Sequence, residues 1–123
     1  MGKKVISAGH IMKILGADVS LIVRTGDDVF GEIVRSGMAK YGAGDAMRAV
    51  EGGTTAHSII LAIPGIDRIF LHHPGVNDTF SGEDIEENIL KETTLFHLGY
   101  PSVMKKPVYR CIYAKCRGIV LYA

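Results

Sequence analysis

A chain of 123 residues, 47% of them hydrophobic, has room for one domain with a real core and is too apolar to remain disordered. Fourteen basic and thirteen acidic side chains leave a formal net charge of +1, and the charges are dispersed, so neither a nucleic-acid-binding nor an anionic-membrane surface is indicated. The longest apolar runs, such as residues 59–63, are far too short to cross a bilayer. The two lysines near the N-terminus precede no apolar signal core, which predicts a cytoplasmic protein.

In chain order, residues 3–6 read as a short strand, followed by Gly9 and a brief helix over 11–15. Gly16-Ala17-Asp18 marks a stop and turn, and the apolar run 19–23 suits a buried strand. Asp27 and Asp28 close the next turn and favour the positive end of a helix over 29–41. Val29, Phe30, Ile33, Val34, Gly37, Met38 and Tyr41 form its apolar stripe. Strand, helix, buried strand and helix in succession describe an open α/β sheet. Gly42, Gly44, Gly52 and Gly53 then argue for an irregular connection. Residues 56–63 and 67–73 flank Pro64-Gly65-Ile66 as a β-hairpin. Pro74-Gly75 ends it, and an irregular bend follows at Gly75-Val76-Asn77. Ser81 stands three residues before Asp84, a capping-box spacing for a helix over 84–91, and residues 94–98 return the chain to a strand. No repeat or domain linker interrupts the pattern, so residues 1–123 read as a single domain.

Several linked segments resemble one family. Arg68-Ile69-Phe70-Leu71-His72-His73-Pro74-Gly75-Val76-Asn77, with Phe80 and Asp84 behind it, is similar to the lid-to-helix passage of PfkB-type, ribokinase-like carbohydrate kinases. Gly16 and Gly26, separated by nine residues, and the run Gly26-Asp27-Asp28-Val29-Phe30-Gly31 resemble that family's first αβα passage. Phe96-His97-Leu98-Gly99-Tyr100-Pro101 resembles its re-entry into the sheet, and the similarity extends over roughly residues 15–104. The resemblance implies a partial ribokinase-like α/β fold, an open sheet with helices plus a small β-hairpin lid at about 56–73. It implies, as parent activity, transfer of the ATP γ-phosphoryl group to a sugar hydroxyl, with ATP and Mg as the intact family's cofactors and a carbohydrate as its substrate. Such chemistry depends on positioning, a metal-bridged nucleotide and a base, with the lid excluding water. Arg68, His72 and Asn77 would then belong to the lid side of the sugar pocket.

Departures from the family pattern limit what carries over. Counting back from Gly16, Ser7 stands where the family has the Asn that follows its sugar-holding Gly-Gly loop and Gly9 where a small Ala, Ser or Thr is usual, with Ala8-Gly9 as a shortened remnant of that loop. The preceding strand and its sugar-binding Asp have no room, so the resemblance names no particular sugar. Beyond Met104 the long βα units of a nucleotide site are not apparent, and the chain reads as a partial kinase that binds no nucleotide by itself. Gly42-Ala43-Gly44-Asp45-Ala46 spells the family's catalytic string, in which glycine amides hold phosphoryl charge and the Asp is the base. Here it falls ahead of the lid, without the usual Asp-Thr before it, so loop glycines are the favoured reading and Asp45 is the only candidate base.

The remaining candidates have structural readings beside the functional ones. His72 and His73 are adjacent, point to opposite faces of a strand and cannot share one metal. His72 is either a sugar contact or a hydrogen-bonded structural residue; Asn77 is either a ligand contact or the stabiliser of its own bend. His97 reads as a satisfied strand residue, Arg24 and Lys40 as solvated charges, and Cys111 and Cys116 as reduced thiols, their spacing fitting no common zinc or redox motif. A different class of function is a non-catalytic remnant or oligomerisation module. The lid hairpin offers edges for pairing, and an uncovered sheet favours a homo-oligomer.

Overall fold

The computed structural model describes residues 2–99 and 119–122, with side chains from residue 8 to residue 99. Cys111 and Cys116 lie outside the described residues. The chain opens with α1 (Gly2–Ile14) and continues with β1 (Val23–Gly26), α2 (Val29–Ala39) and β2 (Met47–Val50). A hairpin of β3 (His57–Leu61) and β4 (Ile69–His73) follows. Two 3-10 turns, Gly75–Thr79 and Gly82–Asp84, lead into α3 (Glu87–Glu92), β5 (Leu95–Leu98) and β6 (Ile119–Tyr122).

β1 and β2 pair in parallel, Val23 opposite Met47 and Gly26 opposite Val50, with α2 as the crossover between them. β5 and β6 also pair in parallel, and β3 and β4 pair antiparallel, His57 opposite His73. This is a mixture of helices and small sheets in which the lid hairpin forms a sheet of its own.

The core has two centres. Leu21, Met38, Ala43 and Met47 pack between α2 and the first sheet, with Val19, Val23 and Val34 against them. Phe80, Ile85, Leu90 and Leu98 form the second, which Ile22 and Phe96 join. Leu90 of α3 is fully buried.

The structure departs from the sequence pattern in several places. Residues 3–6 are helical, and the Ala8-Gly9 loop remnant is mid-helix: the β-branched pair Val5-Ile6 is too short to override the helix around it, and Gly9 abuts the Leu21 side chain. The first strand begins at Val23 rather than residue 19, because its ladder partner begins only at Met47. Residues 42–53 are not merely irregular, since β2 lies among them. Gly75-Val76-Asn77 opens a regular 3-10 turn, with the Asn77 N–H donating to Pro74 O and Phe80 N–H to Asn77 O. The Ser81–Asp84 capping box exists but caps a 3-10 turn; extended Ile85, buried beside Phe80, delays the α-helix to Glu87.

β1 and β5 belong to different two-stranded sheets; Ile22, just ahead of β1, and Phe96 of β5 both pack against the second core centre. Of the stripe on α2 only Met38 is buried, while Val29 is 75%, Phe30 55% and Ile33 61% exposed. His97 is a strand residue of β5, opposite Leu121, with its side chain exposed. Among the described residues no helix is long and apolar enough to cross a membrane.

Candidate functional site

The root of the lid hairpin is held by a polar clasp. Asp28 caps α2 by accepting from Gly31 N–H at 2.8 Å, as its place before the helix predicts. The same carboxylate accepts from the Thr55 amide at 2.8 Å and from the Thr55 hydroxyl, whose oxygen in turn accepts from Gly26 N–H at 2.9 Å. Asp27 accepts from Gly52 N–H at 2.9 Å. Arg35 of α2 donates to Thr25 Oγ1 and to Gly26 O. One turn therefore fixes where β3 leaves the body of the fold. The hydrogen bonds from Thr55 hold the Asp28 carboxyl down to about 2, with Gly31 adding to them against the cost of desolvation.

A second clip secures the far side of the lid. Arg24 of β1 donates to Thr79 O at 3.1 Å and to Thr79 Oγ1 at 2.7 Å, and forms an ion pair with Asp84. Asp84 also accepts from Ser81 N–H at 2.7 Å. Arg24 is thus a fastener between β1 and the 75–84 segment rather than a solvated charge. Nothing local in the sequence reveals it, since its partners lie at least 55 positions away.

Arg68, Phe70 and His72 share one face of the lid by strand alternation. The Arg68 guanidinium lies 5.9 Å from the Phe70 ring centre, and Ser58 Oγ is 2.8 Å from His72 Nδ1. His57, Ile59, Phe70, Leu71, His72 and His73 line an open depression of about 380 Å³. Arg68 sits at the loop end of β4 and does not line it. Asn77 lies in the 3-10 turn behind the hairpin, where its neighbour Val76 donates its N–H to Thr54 O at 2.9 Å. The structure thus gathers His72 with aromatic and apolar lid residues, and sets Arg68 and Asn77 at opposite ends of β4.

Asp45 lies elsewhere. It lines a small recess of about 80 Å³ with Lys13, Asp18, Ser20 and residues 42, 43 and 46, sharing no lining residue with the lid depression. Its glycines have the opposite polarity to a phosphate cradle. Gly42, at φ 65°, caps the C-terminal end of α2: its N–H donates to Ala39 O, and Ala43 N–H donates to Met38 O. These amides are spent on helix carbonyls, and the nearby helix end carries negative rather than positive partial charge. A strand, β2, follows the string where a phosphate-binding helix would be needed. The described residues here do not fit the phosphates of a nucleotide.

No protein-family model and no curated protein matches the chain. Solved structures are similar to it throughout. The ribokinase of Thermotoga maritima is similar at 19% identity, with a TM-score of 0.79 over 95% of this chain and 38% of its own. The fructokinase of Xylella fastidiosa with bound ATP is similar at 21% identity, with a TM-score of 0.80 over 95% of this chain and 38% of its own. The adenosine kinase of Sinorhizobium meliloti is similar at 16% identity, with a TM-score of 0.77 over the same two shares, 95% and 38%. The fold is therefore that of a ribokinase-like kinase, and the chain spans about two-fifths of the length of the kinases it matches. The likeness reaches well beyond the 15–104 stretch legible in the sequence. The three neighbours' names point to three different substrates, so the shared fold does not choose among them.

Proposed function

We propose that this chain is the lid-bearing part of a PfkB-type sugar kinase, working inside the cell as a single folded unit that offers the sugar-facing side of a phosphoryl-transfer site. The observation that carries this reading is the pair of fasteners, Asp28–Thr55 and Arg24–Thr79/Asp84, which hold both ends of the hairpin against β1. A hairpin anchored at both ends can close over a ligand as a unit, and lids of that kind exclude water and gate turnover. Arg68, His72 and Asn77 then serve as donors to sugar hydroxyls. ATP and Mg, used by the intact family, would have to be held by other residues, since the amides of Gly42 and Ala43 are spent on α2.

Two outcomes follow. MgATP titrated calorimetrically into the purified chain should give no saturable binding below millimolar concentration, and the chain should not phosphorylate ribose, fructose or adenosine by itself. Tight binding lost in Asp45→Ala or Gly44→Val would overturn the reading of residues 42–46 as loop glycines and make Asp45 the base.

A second reading, an oligomerisation module, is favoured by the exposure of Ile59, Ile60, Leu61, Ile69, Phe70 and Leu71 on both faces of the hairpin. Contiguous apolar surface of this kind drives association, and the hairpin's free edges add strand pairing. Light scattering over a dilution series should show a homodimer or larger species that Phe70→Lys weakens. A monomer persisting at high protein concentration would remove this reading and leave the kinase assignment standing.

A further inference from the structure

At the root of the lid, His57 and His73 are register partners on adjacent antiparallel strands, so both side chains leave the same face. Their ring centres are 5.1 Å apart. Each ring has one nitrogen engaged by an oxygen: His57 Nδ1 lies 2.9 Å from Thr55 O, and His73 Nε2 lies 3.0 Å from Thr54 Oγ1. A carbonyl can only accept, so His57 carries its proton on Nδ1 and keeps a lone pair on Nε2. Thr54 Oγ1 can accept from His73 Nε2–H, the tautomer that keeps a lone pair on Nδ1. An oxygen that fixes the tautomer of a ring whose other nitrogen is left bare is the usual outer arrangement around a metal-ligating histidine. Phe30 stacks on His57 at 5.3 Å and limits rotation of that ring.

We propose that His57 and His73 form a two-histidine site for a borderline transition cation such as Zn²⁺, clamping β3 to β4 where the lid leaves the body of the fold. The spacing fits. An imidazole nitrogen is about 1.1 Å from its ring centre and a Zn–N bond is about 2.0 Å, so two rings on one tetrahedral ion stand about 5 Å apart. Among the described residues no group of three or more His, Cys, Asp or Glu can hold a metal, so water completes the coordination and the affinity is moderate. His57 is half-buried and His73 exposed, which leaves the site open to entering ions and their waters. His72, whose Nδ1 lies beside Ser58 on the other face, takes no part.

Zn²⁺ titrated into the tag-free full chain should bind one ion per chain at micromolar concentration. His57→Asn or His73→Asn should weaken binding at least tenfold, and His97→Asn should leave it unchanged. On the unaltered chain, Cu²⁺ electron paramagnetic resonance should show coupling to two imidazole nitrogens. Absence of saturable binding up to millimolar Zn²⁺, full binding retained in the His57→Asn/His73→Asn double variant, or a copper spectrum with fewer than two nitrogens would overturn the site.

Discussion

Gly75→Ala should cost roughly 3 kcal/mol or more of folding stability in urea titrations, against about 1 kcal/mol for Gly65→Ala. Both glycines occupy the left-handed region, Gly75 at φ 54° and Gly65 at φ 79°, so each substitution carries the strain of placing a Cβ there. Only Gly75 adds a collision. A Cβ at this position would stand 2.2 Å from Thr54 O and 2.8 Å from Ala56 N, and neither backbone atom can rotate away. Thr54 O also accepts from Val76 N–H, so relieving the clash would break the bond that seats the 3-10 turn against the lid root. At Gly65 nothing lies within 4 Å. Equal costs at the two positions would mean that the turn and the lid root do not approach each other as described.

Asp28→Asn should lower the thermal midpoint at neutral pH and flatten its dependence on acid. The native carboxyl is held at about 2, below the ordinary 3.8, because Thr55 and Gly31 donate to the ionised form. A depressed carboxylate contributes stability that is fully present above about pH 4. That contribution drains away as pH falls from there through about 2. The difference in midpoint between the native chain and Asp28→Asn should therefore shrink over this window and nearly vanish below it. Comparing the two proteins removes the contributions of other acidic groups, including Asp84. A difference that stays constant from pH 7 to pH 2 would place the clasp's strength elsewhere.

Local chemistry was legible in the sequence; long-range pairing was not. The α2 start at Val29 and the Ser81–Asp84 box could be read because cap and helix lie within four residues of one another. The hairpin was equally open to reading, since its strands alternate on either side of a Pro-Gly turn. β2 was hidden because four residues between glycine pairs carry too little periodicity to register, and its partner lies 24 positions earlier. Gly42-Ala43-Gly44-Asp45 shows the limit most clearly. The same string at a helix start would cradle an anion, whereas here Met38 and Ala39 upstream convert its first two amides into a C-terminal cap. The Arg24 clip and the second half of the Asp28 clasp were invisible for a related reason, their partners lying 27 to 60 positions away in the chain.

The most direct test of the sugar-facing assignment is an amide chemical-shift titration of the isotope-labelled chain with ribose, fructose and adenosine in turn. At least one of them, at millimolar concentration, should shift signals at Arg68, His72 and Asn77 together with the hairpin root at residues 54–57. Those shifts should be lost in His72→Ala. Perturbations centred on residues 42–46, or none along the lid with any of the three, would contradict it.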